Sequence, residues 1–186
     1  DDTGLLEQIM AAAHSLPVLG VSLEFLRAFV KAHMGPDSGD TKMTTTEVCE
    51  KLVKPRCEGH PEDVSFAALV QNGALEEFAA EHATKYVGVA THFTSHAWSY
   101  RFDLLVDALE CDVGSTGSSS DGNGTVPATN FFWLDIFVVP QTRRVLPPQA
   151  GGRTAFFRAV ALEKYFVLVC FDWYSPRCFQ RCWCLW

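Results

Sequence analysis

Two short stretches, residues 131–139 and 165–171, are apolar almost without interruption. A strand with one wet face alternates apolar and polar residues, whereas a strand covered on both faces does not. Both runs fall well short of the roughly 20 residues that a membrane helix needs. They predict a buried sheet with further layers on its faces, as in parallel α/β folds. The neighbouring sequence fits that frame. Residues 86–93 place Val87, Val89 and Phe93 at odd positions and lead into Thr94-Ser95-His96-Ala97-Trp98, which reads as a strand and its following loop. Phe102, Leu105, Val106 and Leu109 recur at helical spacing. Residues 154–163 read as a second helix and residues 181–186 as the opening of a third. Strand and helix alternate three times, the signature of a parallel sheet with right-handed crossovers.

Residues 1–85 differ in kind. They hold 14 acidic and 7 basic residues, against 8 of each in residues 86–186. They also hold only 4 of the 23 aromatic residues and none of the five Trp. Their apolar residues follow helical spacing: Leu5, Leu6, Ile9, Met10 and Ala13, then Phe25, Leu26, Phe29 and Val30. Thr44-Thr45-Thr46-Glu47 has capping-box spacing, and the helix it opens is expected to stop before Pro55. Residues 66–82 continue the pattern through Leu75, Phe78 and Ala79. The expected organisation is an acidic helical segment at 1–85 and an α/β domain at 86–186.

The overall charge of −7 argues against nucleic acid or an anionic membrane as partner. No stretch is long and apolar enough for a transmembrane segment. The chain opens Asp1-Asp2-Thr3 without Met or a basic n-region, so loss of an N-terminal segment is expected. Seven Cys at irregular spacing read as free thiols in a reducing compartment, either the cytoplasm or an organelle interior such as stroma or matrix. Asn123-Gly124-Thr125 is a glycosylation sequon with no meaning in an intracellular loop.

Three ordered segments resemble the Toll/interleukin-1 receptor (TIR) family. Thr91-His92-Phe93-Thr94-Ser95-His96-Ala97-Trp98 resembles the first strand and following loop of these domains, in the form found in many algal and protist proteins. Phe131-Phe132-Trp133-Leu134-Asp135-Ile136-Phe137 resembles the second strand, and Arg181-Cys182-Trp183-Cys184-Leu185-Trp186 the opening of the third helix. The resemblance implies a flavodoxin-like sheet with strand order 2-1-3-4-5. Only its first three strands are expected here, truncated after the start of the third helix, with the third strand at an open apolar edge. Such an edge requires a cover: a continuation of the chain, the N-terminal helices, or a partner.

The resemblance also implies a chemistry. NAD-cleaving TIR domains carry a catalytic Glu on the third helix, which by motif alignment would follow Trp186. A carboxylate there stabilises an oxocarbenium-like transition state as the nicotinamide–ribose bond breaks. Ser95, His96, Trp98, Asp135 and Trp183 are the candidate NAD-binding residues, with none assigned as catalytic. The loop at 140–152 matches the one through which the family assembles, and its Arg143 and Arg144 are candidate contacts to a partner or to another TIR domain. Two expectations follow: a non-catalytic assembly module acting as scaffold or accessory subunit of a larger complex, and an NAD nucleosidase completed beyond Trp186. No cofactor is expected, since NAD enters only as substrate.

Metal sites are not expected. His92 and His96 lie four apart on a strand and loop, not on the helix that a zincin motif needs. Cys178, Cys182 and Cys184 lack zinc-ligand spacing, and Cys170 reads as core. Glu163 and Asp172 do not lie where the family places its catalytic acid.

Overall fold

A computed structural model of the chain describes residues 18–35, 42–61, 64–116, 129–142, 165–171 and 174. The elements in chain order are β1 (Leu19–Ser22), α1 (Leu23–His33), α2 (Thr45–Val48), a π-helical turn (Cys49–Val53), α3 (Lys54–Cys57) and α4 (Phe66–Gln71). A 3₁₀ turn (Ala80–His82), α5 (Ala83–Tyr86), β2 (Val87–Val89), β3 (His92–Ser95), α6 (Phe102–Thr116), β4 (Phe131–Trp133), α7 (Asp135–Val138) and β5 (Tyr165–Leu168) follow.

The fold is mixed α/β. Its five-stranded sheet has the order β2-β1-β4-β3-β5. β3 runs parallel to both β4 and β5, and β1 runs antiparallel to both β2 and β4. The expected three-stranded parallel sheet is therefore corrected to a mixed sheet of five. The parallel trio β4-β3-β5 has the second, first and third predicted strands in the anticipated spatial order. The extra pair arises from residues that local pattern hides. Leu19-Gly20-Val21-Ser22 lies inside the segment read as helical, and its four residues are too few to show periodicity. The stretch read as one strand at 86–93 divides at Ala90-Thr91. Only Ala90 and Thr91 separate β2 from β3, and their amides donate to Val18 O and Phe131 O, both at 2.8 Å. The first piece bonds to β1 and the second to β4 and β5.

Gly20 and Gly88 face each other across β1 and β2, with the Cβ of Phe131 against Gly20 and its ring against Gly88. A Cβ on Gly88 would stand 2.6 Å from that ring, so the absence of a side chain admits it.

β1 passes directly into α1. Ser22 is the last strand residue and also the cap, its Oγ accepting from Phe25 N at 3.1 Å. α1 buries Phe25, Leu26 and Phe29, the stripe anticipated from spacing. The capping box is formed: Thr44 Oγ1 accepts from Glu47 N, and Glu47 Oε2 accepts from Thr44 N at 2.9 Å. These bonds hold the Glu47 carboxyl below its ordinary range. The helix does not end before Pro55. It widens into the π turn and restarts as α3, with Lys54 N donating to Cys49 O. Pro55 has no N–H and its ring crowds the preceding turn, so a wider turn ahead of it is the local solution.

One principal core joins both halves of the sequence. Phe25, Phe29, Phe66 and Phe78 pack with Phe102, Phe132 and Phe137 on the helical side of the sheet. Phe93 and Trp133 belong to a smaller cluster with Ala90. No helix among the described residues is long and apolar enough to cross a membrane.

Candidate functional site

In open α/β sheets, ligands bind beyond the carboxyl ends of parallel strands. Here β3 ends at Ser95 and β4 at Trp133. Ser95 is buried, and its carbonyl accepts from Val169 N at 2.9 Å just past β5. His96 follows it and is fully buried. Trp98 and Asp135 are half-buried and meet directly: Trp98 Nε1 donates to Asp135 Oδ2 at 2.9 Å. The structure thus brings together two of the candidates nominated from sequence, at the neighbouring ends of two parallel strands.

Asp135 was expected within a buried strand. β4 instead stops at Trp133, and Asp135 opens α7. Its Oδ1 accepts from Ile136 N at 2.9 Å. This explains how an acid is tolerated in so apolar a run: the strand ends before it, and both oxygens receive donors. Trp183, Arg143 and Arg144 lie outside the described residues, as do Glu163, Asp172, Cys178, Cys182 and Cys184.

Four contributors, Thr45, Thr46, Gln141 and Cys49, carry no signal of this role in the local sequence. Thr46 holds the loop after β3, its N donating to Trp98 O at 3.0 Å and its Oγ1 to the same carbonyl at 3.2 Å. Thr45 N donates to Tyr100 O and Phe102 N to Met43 O, both at 2.9 Å. The strap at 43–46 therefore fixes the backbone that carries Trp98. Gln141 Nε2 donates to Asp135 O at 2.8 Å and to Val139 O at 2.9 Å, closing the turn after α7. Cys49 Sγ lies 3.5 Å from Gln141 Oε1, and burial pushes this thiol up to about 12. A thiol held so firmly protonated is a poor nucleophile. Only long-range pairing brings these groups to the site.

His92 and His96 are not a metal pair. Four residues along extended chain separate them by about 13 Å. The His92 ring stacks on Tyr165 at 4.9 Å and tilts on Phe132 at 5.2 Å, and burial lowers its basicity. No cluster of metal-binding side chains occurs among the described residues. Cys170 is half-buried beside Ala97 and Tyr100.

Comparisons with protein-family models, with curated proteins and with solved structures gave no match.

At the sheet's edge the chemistry is different. β5 exposes Tyr165 (50%) and Phe166 (56%), with Leu168 and Phe171 also exposed. Among the described residues β5 pairs with β3 alone. Val169 N points towards β3. Alternation along the strand then turns the amides of Phe166 and Leu168 away from β3, towards the side on which no described strand pairs.

Proposed function

We propose that this chain is a TIR-like, flavodoxin-type interaction module that joins a larger assembly by taking a partner strand against β5. The observation that carries the reading is the edge itself: Tyr165, Phe166 and Leu168 are exposed on a strand with outward-facing donors. Strand addition supplies main-chain hydrogen bonds to such an edge, and side-chain pockets supply selectivity. The described N-terminal residues support a partner as the cover, because β1 joins the sheet beside β4 and β2, away from β5. Another TIR domain is one such partner, with Arg143 and Arg144 as its further contacts. A scaffold or accessory role needs no catalytic acid, which agrees with Asp135 being engaged by Trp98 and Ile136. A reducing interior, cytoplasmic or organellar, suits the buried free thiols at Cys49 and Cys57.

Leu168→Pro tests the module. The substitution removes an outward donor while leaving the amides that bond β3. In dilute full-length chain, the Phe166 and Leu168 amides should exchange quickly. They should become protected as the chain is concentrated or given its assembly, and Leu168→Pro should abolish that protection. Protected amides in a dilute monomer would remove the proposal's basis.

A second reading rests on the Trp98–Asp135 pair at the strand ends. There the site holds NAD against Ser95, His96 and Trp98, with Trp183 and an acid beyond Trp186 completing a nucleosidase. Release of nicotinamide from NAD by the natural protein would favour it over the non-catalytic module.

A further inference from the structure

His33 ends α1 with its side chain only 9% exposed. Its ring lies edge-on to Phe29 at 4.8 Å and to Phe78 at 6.2 Å. Two charged groups face it among the described residues. From α3, Arg56 Nη2 is 3.3 Å from Nδ1. From the segment after α4, Glu77 Oε1 is 3.8 Å from Nε2. Arg56 also donates through Nε to Glu77 Oε1, and through Nη1 to Leu52 O at 2.9 Å.

A guanidinium can only donate. Nδ1 must therefore be the acceptor, and the single proton of the neutral ring sits on Nε2, facing Glu77. A second proton would go onto Nδ1. It would end the bond from Arg56 and set two positive charges against each other in a largely apolar pocket. Glu77 offers partial compensation, but its nearer oxygen already serves Arg56.

We propose that His33, Arg56 and Glu77 form a pH-sensitive latch that ties the C-terminal end of α1 to α3 and to the segment carrying Phe78, and that releases on mild acidification. Burial first, and then Arg56, hold the imidazole below its ordinary value of 6.5, while Glu77 opposes them. The direction follows from linkage. With the folded value depressed, the unfolded or opened state binds more protons in the interval below 6.5. The latch is at full strength above 6.5 and weakens as pH falls through the interval down to the folded value. Each unit of depression makes the closed form about tenfold less favoured once the pH is below both values.

The test uses the full chain. Imidazole ¹⁵N shifts should report an Nε2–H tautomer for His33 at pH 7.5 and titration below 6.5. Amide exchange at the end of α1 and around Phe78 should accelerate between pH 7.5 and 5.0, after correction for intrinsic rates. His33→Gln retains an acceptor for Arg56 and cannot titrate, so it should remove this acceleration. Glu77→Gln removes the one opposing charge and should move the titration to lower pH. An Nδ1–H tautomer, titration at or above 6.5, or the same acceleration in His33→Gln would overturn the proposal. The tautomer and titration are read on the unmodified protein, so the outcome stands even if a variant fails to fold.

Discussion

At one side of the sheet, β1 lies between two strands and runs into α1; at the other, β5 has β3 for company and exposes aromatic rings. Val21 on β1 is fully buried against the phenylalanine cluster, whereas Phe166 stacks on Phe93 at 5.2 Å and still leaves half its surface open. Both regions are built from apolar residues, so composition does not separate them. Coverage does: α1, α4 and α7 pack against β1, whereas from β5 only Val167 packs against the same core. A contact that excludes water from both partners contributes its full transfer free energy, and a half-open one contributes part of it.

The sharpest way to break that contrast is Phe29→Ala. Phe29 meets the rings of Phe25, Phe66, Phe78, Phe102 and Phe137 at 5.0–6.4 Å and is fully buried. Its truncation leaves a cavity walled by other rings and should cost about 3–5 kcal/mol in urea unfolding. A loss of less than about 1 kcal/mol would mean that the two sides of the sheet are supported alike.

Gly88→Ala is expected to act more weakly and only on the covered side. The added methyl would approach the Phe131 ring to 2.6 Å, so ring or strand must shift. An overpacked site of this kind costs about 1–3 kcal/mol. The same substitution in a Phe131→Ala background should lose most of that cost, and a double-mutant cycle measures the difference. An unchanged cost would place the strain in β2 itself and not in the crossing of Phe131 over β1 and β2.

Which parts were legible in sequence follows from the range of the forces involved. The apolar run at 131–139 disclosed β4, because burial on both faces removes alternation within a few residues. The run at 165–171 does hold β5, but the expected burial on both faces is corrected, since Tyr165, Phe166 and Leu168 are exposed. Spacing disclosed α1 and α6, and Thr44 with Glu47 disclosed a cap that forms as drawn. β1 was hidden because Gly20 gains its place from Gly88, Ala90 and Phe131, partners far away in the chain. Trp98 and Asp135 were nominated separately, but their hydrogen bond depends on where β4 ends. The apolar pattern continues to Val139 while the strand stops at Trp133, since Asp135 accepts from the next amide and starts a helix. Thr46 and Gln141 gave no sign, for their roles consist of bonds to backbone carbonyls that only the tertiary fold brings near.

The smallest effect on stability is expected at β5, and it sharpens the comparison most. Phe166→Ser removes a ring that is 56% exposed and stacked on one neighbour. Half-burial and a single aromatic pair together are worth about 1–2 kcal/mol at most. The outward amide of residue 166 is retained, so the edge keeps its donors and loses its apolar surface. Urea unfolding should therefore fall far short of the loss in Phe29→Ala, while concentration-dependent protection of the β5 amides weakens markedly. Equal protection in Phe166→Ser and the parent chain would make main-chain pairing sufficient by itself and deny the rings a part in it. A stability loss rivalling that of Phe29→Ala would show instead that the exposed face of β5 supports the fold as strongly as the β1 side does, and the contrast between the two would fall.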